Sequence, residues 1–403
     1  MISFDLELSD ADKAFRDDVR SFLKEAFTPD LQAAATRQAG IFAEPGLGRI
    51  WQRRLYERGW GAPNWPRRWG GAEFTPMQRY IFATECAEVG TPIVAGMGLL
   101  MCGPVLMQFG TPEQQERFLP RIPPMDHYWC QGFSEPGAGS DLSALRCAAL
   151  REGDDYIVNG SKIWTTHAHA ANWIFLLVRT ASEGAPQAGI TFLLSPMDAP
   201  GITVRPIRSM SGEHEVNEVF FDNVRIPASL RVGEEDRGWD VAKFLLMHER
   251  GSTSAAAALK NALRRTRLIA AGEHDEQGRP FLDNPSFRNR LAAIEIEIAA
   301  IEAAELRDLE RGRPMGAAGM AGASVQKLKV STTLQRLAEM AVEALGVSAM
   351  RDYRSELYGA APGDAVQLRQ TAVARHLNIR AATIFGGASE IQKGIIARSG
   401  LGI

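Results

Sequence analysis

The chain has 403 residues, of which 45% are hydrophobic and 23% are charged, a composition typical of a globular protein with two or three structural units. The formal net charge of −3 gives no electrostatic reason to expect nucleic acid or an anionic membrane as a partner. The four cysteines are widely spaced and form no CxxC pair, which argues against a thiolate metal site and against disulfides. A reducing compartment, the cytoplasm, is therefore the expected location.

The N-terminal section carries acidic residues throughout and has no apolar run, so we expect no signal peptide. No uncharged stretch reaches the length of a membrane span. The section to residue 124 shows helical periodicity, with a capping-box-like start at Ser9 and Asp12. After the Pro/Gly/Trp-rich loop Gly59–Gly71, a second helix is predicted over Thr75–Cys86, and the loop Pro120–Pro124 is a plausible boundary.

The following section is typical of β structure. Two β-prone runs flank Asn159-Gly160, which predicts a hairpin turn at that pair. Further strands are predicted over 171–180, 189–195, 202–208 and 218–226. Because strands follow one another without intervening helices, the pattern indicates an antiparallel sheet and argues against a dinucleotide-binding βαβ fold.

The helical period returns after Gly238, and two long helices are predicted at 289–310 and 323–346. The apolar face of the first is expected to consist of Leu291, Ile294, Ile298 and Ile301. The predicted fold class is α+β, with an N-terminal helical domain at 1–124, a middle antiparallel β domain at 125–236 and a C-terminal helical bundle at 237–403.

The segment from Gln131 to Asp141 reads QGFSEPGAGSD and is rich in small residues. Such residues let the backbone approach a ligand, and consecutive free amides can face an anion. A tight turn between strands is the alternative interpretation of this loop alone. Together with Lys162–Thr166 (KIWTT), however, the loop resembles the signature of the acyl-CoA dehydrogenase family, a TEPxAGSD-like loop followed by an NGxKxWITN-like strand.

The resemblance covers nearly the whole chain in order. Matching family segments are found at Gly59–Gly71, at the helix start from Phe109, at Phe221–Pro227 and at Ile384–Ala397. It implies the acyl-CoA dehydrogenase fold, FAD as cofactor and oxidation of an acyl-CoA thioester at Cα–Cβ.

The resemblance also assigns site residues. Gln131, Phe133 and Ser134 would lie along the isoalloxazine, Gly139 would belong to the flavin loop, and Ser140 would reach the pyrophosphate or the CoA. Trp164 and Thr166 would cover the flavin face turned away from substrate, although a core tryptophan is the alternative for Trp164. Further cofactor contacts are expected at Gly346, Ala388 and Glu390.

The reaction that the resemblance implies needs a carboxylate base for the α-proton and a hydride acceptor for the β-hydrogen. The glutamate of the common family pattern is replaced by Gly386, whose backbone amide, beside Gly387, could still bind the thioester carbonyl. A subset of the family carries its glutamate on the first long C-terminal helix, just before an arginine. Glu249 and Arg250 match that position, so Glu249 is the expected base and Arg250 its neighbour in the substrate site. A solvated ion pair is the alternative.

Other positions depart from the pattern. The family's RxxFG motif is replaced by the segment from His274 to Gly278, and its LGGxG turn is reduced at Gly346. Small residues around Ser252, Thr253 and Ala256 predict a wide cavity for a branched, cyclic or dicarboxylic acyl group, with close helix packing as the alternative. A surface loop is expected at His167 and His169, and no metal site is predicted.

Three functions remain open on the sequence. The favoured one is an acyl-CoA dehydrogenase that passes electrons to an electron-transfer flavoprotein. The others are an acyl-CoA oxidase and a non-catalytic or co-catalytic subunit of a heteromeric enzyme. The resemblance implies a homo- or hetero-oligomer, a dimer or a homotetramer.

Overall fold

The computed structural model describes residues 7–249, 255–311, 316–351 and 364–403. The α-helices in these residues are, in chain order, α1 (Asp10–Ala26), α2 (Pro29–Thr36), α3 (Pro45–Glu57), α4 (Pro76–Val89), α5 (Gly103–Phe109), α6 (Pro112–Phe118), α7 (Gly238–Glu249), α8 (Ala255–Gly272), α9 (Pro285–Arg311), α10 (Gly316–Leu345), α11 (Asp364–Ile379) and α12 (Ser389–Ile395). The strands are β1 (Trp129–Gly132), β2 (Ala148–Glu152), β3 (Asp155–Thr166), β4 (Trp173–Arg179), β5 (Ile190–Pro196), β6 (Ile202–Ile207), β7 (Val216–Pro227) and β8 (Arg231–Val232).

The N-terminal helices begin where the sequence predicts. The Ser9 hydroxyl accepts a hydrogen bond from the Asp12 amide at 3.2 Å and so caps α1. Thr75 caps α4 in a reciprocal capping box with Gln78. Both caps satisfy amides that the helix itself leaves without partners, which is why the chain turns helical at these points.

The strands form an eight-stranded sheet in the order β6-β7-β3-β2-β4-β5-β8, with β1 alongside β4. The pairs are antiparallel except β1–β4 and the short β2–β4 contact, which are parallel. The predicted middle β domain is thus confirmed. Its centre is apolar, because the first six residues of β4 and of β5 are all buried and the rings of Phe175 and Phe192 stack at 5.8 Å.

The predicted hairpin at Asn159-Gly160 is wrong. β3 runs through this pair without turning, and its register against β7 shifts between Val158 and Gly160. Gly160 has φ +141°, and a Cβ there would lie 2.8 Å from the Cys147 Cα. The Asn159 side chain accepts the Asn223 amide at 2.8 Å. The Asn-Gly pair therefore lies inside one long strand, opposite a bulge in β7, where the two residues between Phe221 and Val224 face Asn159 alone.

The long C-terminal helices are confirmed: α9 is longer than predicted at both ends, and α10 is described from seven residues before its predicted start to one residue before its predicted end. The expected apolar face of α9 is buried, at exposures from 1% for Ile294 to 8% for Ile301. This face belongs to a core cluster that also includes residues of α8, α10 and α11. Burial of one apolar stripe on each helix explains why the 3.6-residue period was readable in the sequence.

The chain divides into two compact units. One comprises Met1–Leu47, Phe74–Ile93 and Ser252–Ile403, and the other comprises Gly48–Glu73 and Val94–Gly251. The sheet lies in the second unit and the α8–α12 bundle in the first. Within the described parts of both, no helix is long and apolar enough to cross a membrane.

Candidate functional site

The small-residue loop that follows β1 is fixed on β3. The Ser134 carbonyl accepts a hydrogen bond from the Ile163 amide at 2.9 Å, and Glu135 and Ala138 exchange two backbone hydrogen bonds of 3.0 Å. A methyl group added at Gly137 or Gly139 would meet no atom of the described residues within 4 Å. The loop is therefore held at its base, while the backbone at its glycines is open to a ligand.

A buried ion pair joins this loop to β3. The Lys162 ammonium donates to the Glu135 carboxylate at 2.7 Å and to the Phe133 carbonyl at 3.2 Å. The side chain of Lys162 is 0% exposed and that of Glu135 is 8% exposed. The same carboxylate accepts the Arg146 amide at 2.6 Å and the Cys147 amide at 2.9 Å. These four hydrogen bonds, from three donor groups to Phe133 and Glu135, fix the path of the loop.

Trp164 follows this ion pair and faces outward. Its backbone has φ +60°, in the left-handed region that bulky residues rarely adopt. The register of β3 against β7 shifts between Lys162 and Thr165, so Trp164 lies in a second bulge. Its side chain is 59% exposed. A large flat indole held outward by strained backbone is typical of a binding surface rather than of a core.

The other residues expected at the flavin differ in how they can reach it. Gln131, Ser134 and Thr166 are half-buried, and Gly139 and Ser140 are exposed. The ring of Phe133 is buried and packs edge-on against Phe175 and Phe192, at 5.7 and 6.4 Å. Phe133 therefore presents its backbone to the loop, and its side chain belongs to the sheet core.

These features fit a flat aromatic cofactor with an anionic tail. The exposed indole of Trp164 offers a face for stacking, and Gln131 and Ser134 offer side-chain hydrogen-bond donors nearby in sequence. The open backbone at Gly137 and Gly139 can be approached closely by phosphate oxygens. The residues present are thus suited to FAD.

The expected substrate-binding glycines lie in the helical unit, just before α12. Gly386 and Gly387 have φ +61° and +89°. The Gln392 side chain donates to their carbonyl oxygens at 3.1 and 3.2 Å, and Lys327 donates to that of Gly387 at 2.7 Å. The turn is therefore fixed through its carbonyls, in a conformation that suits glycine better than a glutamate.

Three expected cofactor residues lie in the same helical unit. Gly346 is exposed at φ +52°, immediately after α10. Ala388 is the N-cap of α12, and Glu390 is exposed in the first turn of that helix. The loop that replaces the RxxFG motif is closed on itself, because Asp275 accepts the Arg279 amide at 2.9 Å and its guanidinium at 2.8 Å.

Glu249 is the last residue of α7 that the structure describes. Its side chain, and the whole of Arg250, Ser252 and Thr253, lie outside the described residues. Ala256, in the first turn of α8, is 1% exposed and belongs to the helical core cluster. At this one position the structure favours close helix packing over a cavity wall.

The expected surface loop at His167 and His169 is wrong for His167. That ring is 2% exposed, and its Nδ1 lies 2.6 Å from the Tyr128 hydroxyl. Burial, with the neighbouring His169 and His214, lowers the pKa of His167 to about 4. Among the described residues, no three potential metal ligands converge.

Sequence reasoning missed the roles of Lys162, Glu135 and Asn217. A signal for Lys162 was present, because counting alternate residues along β3 from Tyr156 and Val158 places it on the buried face. A buried lysine requires a counter-ion. Asn217, which is 0% exposed on β7, carries no comparable sequence signal.

A groove of about 470 Å³ lies between α9 and α10. Small residues line it, including Ala304, Gly319 and Gly322, and Glu305 and Gln326 are among the polar ones. Burial raises the pKa of Glu305 to about 7, although its carboxylate accepts the amides of Ala255 and Ala256 at the start of α8. The described residues that line the groove include none of the expected site residues, so we do not place the reaction there.

Comparison with known proteins gives consistent matches. Models described as acyl-CoA dehydrogenase N-terminal, middle and C-terminal domains match residues 9–125, 130–224 and 236–401. Acyl-CoA dehydrogenase IpdE1 of Mycobacterium tuberculosis is 35% identical over 96% of this chain and 97% of its own length.

Solved structures are similar over the whole length. The ChsE4–ChsE5 complex of Mycobacterium tuberculosis contains a chain with 29% identity and a TM-score of 0.82, and 99% of each chain is covered. The Tcur3481–Tcur3483 steroid acyl-CoA dehydrogenase contains one with 26% identity and a TM-score of 0.81, again with 99% of each chain covered.

Proposed function

Because the chain belongs to the acyl-CoA dehydrogenase family, we propose that it oxidises an acyl-CoA thioester at Cα–Cβ to the trans-2-enoyl-CoA. Like its family, it is an oxidoreductase that uses FAD and has helical N- and C-terminal domains around a middle β domain. When bound, FAD supplies the acceptor for the β-hydride. The residues of this chain bind the cofactor, hold the thioester and take the α-proton.

The observation that carries the proposal is the exposed indole of Trp164 on a strand locked to the small-residue loop. The Glu135–Lys162 pair and the Ser134–Ile163 backbone hydrogen bond fix these two segments against each other. Such preorganisation is what a cofactor site requires, since the site then needs no rearrangement on binding. We assign Gln131, Ser134, Gly139, Ser140, Trp164 and Thr166 to cofactor binding in this unit, with Phe133 contributing backbone.

In the helical unit we propose that Gly346, Ala388 and Glu390 contact the cofactor, and that Gly386 and Gly387 contact the thioester. The carbonyls of Gly386 and Gly387 accept from Gln392, which fixes the turn, and we propose that the backbone amides of the turn donate to the thioester oxygen. Donors aimed at the thioester oxygen stabilise the negative charge that develops as the α-proton leaves.

We propose Glu249 as the base. A thioester α-proton is weakly acidic, so the reaction requires a positioned carboxylate. Gly386, at the position where common family members carry that glutamate, has no side chain, and its φ of +61° suits glycine. Glu249 is the last described residue of α7 and precedes Arg250 in the sequence, as in the branch of the family whose base lies on this helix. We place Arg250 and Ser140 in the substrate site.

The proposed substrate is an acyl-CoA with a bulky ring system. Support comes from the similarity to the Tcur3481–Tcur3483 protein, which is described as a steroid enzyme. A set of straight-chain, cyclohexyl and steroid-side-chain CoA thioesters, compared by kcat/KM, tests this. We expect the steroid thioester to be favoured, and a preference for straight chains would contradict it.

A second candidate is one subunit of a heteromeric enzyme. One structural neighbour is described as a complex of ChsE4 and ChsE5, and the other is described by two protein names, Tcur3481 and Tcur3483. The loop closed by Asp275 and Arg279 also stands where family members carry the RxxFG motif. In those proteins the arginine of the motif reaches the FAD of a neighbouring subunit. Size-exclusion chromatography combined with the FAD content per chain tests this. The proposal is supported if the protein alone is flavin-free and binds one FAD once it is mixed with a related partner chain.

The decisive experiment for the base is Glu249→Gln. Purified wild-type protein, mixed anaerobically with an accepted acyl-CoA, should bleach its flavin absorbance. The variant should bind FAD equally and bleach at least about 100-fold more slowly, the size expected for loss of a general base. Asp240→Asn on the same helix is the matched control, because Asp240 is an exposed carboxylate paired with Arg237 and Lys243.

Bleaching of Glu249→Gln at the wild-type rate would refute the base assignment.

The same preparation also addresses the electron acceptor. We propose an electron-transfer flavoprotein, and stoichiometric peroxide formation in air would indicate an oxidase instead.

A further inference from the structure

The conformation of Trp164 depends on the strand opposite. Lys162 pairs with Val219 and Thr165 pairs with Asn217, so β3 has one residue more than β7 between these two positions. The Ile163 amide within this bulge bonds to the Ser134 carbonyl of the loop instead of to β7. Since a tryptophan rarely adopts φ +60° unaided, contacts on either side of the bulge must hold it.

Asn217 supplies such a contact. Its side chain is 0% exposed, and its amide nitrogen donates to the Thr165 carbonyl at 3.0 Å. Thr165 directly follows Trp164, so this bond fixes the peptide unit at the end of the bulge. The same nitrogen lies 3.2 Å from His169 Nδ1, and the amide oxygen lies 2.7 Å from His214 Nε2.

The Thr165 carbonyl determines the orientation of the whole network. A carbonyl only accepts, so the NH₂ group of Asn217 must face it and the oxygen must face His214. His214 therefore carries hydrogen on Nε2. His169 Nδ1 must accept the second amide hydrogen, so His169 is the neutral tautomer with hydrogen on Nε2. The ring centroids of His169 and His214 lie 4.1 Å apart, so the two imidazoles pack against each other.

We infer that Asn217 is a positioning residue for Trp164, and that neutral His169 holds the Asn217 amide in its working orientation. The inference rests on the proposed function, in which the Trp164 indole packs on the flavin. The inference adds that β7, which pairs with β3, also determines where that indole lies. Neither Asn217 nor His169 contacts the cofactor in this account, because both act through the backbone of Thr165.

The first test changes Asn217. In Asn217→Asp the carboxylate still accepts from His214 but cannot donate to the Thr165 carbonyl. We expect the visible absorption bands of bound flavin to shift as they do in Trp164→Phe, and the Kd for FAD to rise roughly tenfold, the size expected for one lost buried hydrogen bond. Asn223→Asp, at another asparagine of β7, is the control.

The second test changes His169, which is exposed and whose replacement spares the core. In His169→Asn the side-chain oxygen occupies the place of Nδ1 and can still accept from Asn217, whereas His169→Leu cannot. We expect the asparagine variant to retain the wild-type flavin spectrum and the leucine variant to shift it. Equal spectra for the two variants would overturn the role of His169.

A third measurement uses flavin-free protein. The near-ultraviolet circular dichroism of wild type minus that of Trp164→Phe isolates the signal of a fixed indole. The corresponding difference between Asn217→Asp and the double variant Asn217→Asp/Trp164→Phe should be close to zero. A difference as large as that in the wild-type background would overturn the inference.

The outcomes separate the two claims. If Trp164→Phe leaves the flavin spectrum unchanged, Trp164 is not at the flavin, so both the proposed placement and this inference fail. If Trp164→Phe shifts the spectrum and neither Asn217→Asp nor His169→Leu does, the placement stands and only the inference is overturned.

Discussion

The buried Lys162–Glu135 pair allows a quantitative prediction. Replacing Lys162 by Met removes the ammonium while nearly preserving the volume of the side chain. The Glu135 carboxylate, 8% exposed, would then keep the amides of Arg146 and Cys147 but lose its only cationic partner among the described residues. The Phe133 carbonyl would also lose a donor at 3.2 Å.

The expected cost follows from these contacts. Removing one partner of a buried ion pair leaves an uncompensated charge and typically destabilises a protein by about 3–5 kcal/mol. In the double variant Lys162→Met/Glu135→Gln no charge remains buried, and the glutamine oxygen can still accept one of the two amides. The loss should then be about 1–3 kcal/mol, the cost of leaving a buried polar group unsatisfied.

Thermal and urea unfolding of the flavin-free protein measure this. The single variant should unfold well before the double variant, and in a separate measurement on flavin-loaded protein FAD should be lost first from the single variant. Arg225→Gln, which breaks the exposed pair with Asp155 on the same sheet, is the control and should unfold like wild type. If Lys162→Met unfolds within about 1 kcal/mol of wild type, the pair is no more important than a surface ion pair and the reasoning is wrong.

Two further predictions concern Glu305 and Gly160. Burial raises the pKa of Glu305 to about 7, so its contribution to stability is full below the ordinary pKa of a glutamate and is lost as pH rises through 7. Between pH 5 and 8 the stability of Glu305→Gln should therefore rise relative to that of wild type, by on the order of 3 kcal/mol at most. Parallel pH profiles of the melting temperature for the two proteins would contradict this. Gly160→Ala should destabilise the sheet by about 1–3 kcal/mol, because its Cβ would lie 2.8 Å from the Cys147 Cα. Gly153→Ala also places a side chain at a positive φ, +61° instead of +141°, but in open space, so an equal loss of melting temperature in both variants would show that the contact with Cys147 adds nothing.

Much of the fold was predictable because each element buries one face. The period of Leu291, Ile294, Ile298 and Ile301 predicted α9, and the alternating and apolar runs predicted β4 to β7. The Asn159-Gly160 pair misled, because its local preference for a turn was overridden by pairing with β7 and by the approach of Cys147. Local turn chemistry cannot distinguish a hairpin from a bulge when the tertiary partner is unknown.

A candidate site could be proposed from contiguous motifs, such as the loop before Ser140 and the strand around Trp164. Its support was less visible. Asn217 lies about 50 residues after Thr165, and only the β3–β7 register brings them together. The buried state of His167 likewise depends on Tyr128, which no local pattern connects to it. Long-range contacts of this kind carry no periodic signal in a single sequence.

The central claim is that Glu249 removes the α-proton, and isotope exchange tests it most directly. An acyl-CoA analogue that cannot lose its β-hydrogen is incubated with the flavin-loaded protein in D₂O, and deuterium at Cα is followed by mass spectrometry. We predict exchange with wild type and with Asp240→Asn, and exchange at least about 100-fold slower with Glu249→Gln. Exchange at the wild-type rate in Glu249→Gln would contradict the account.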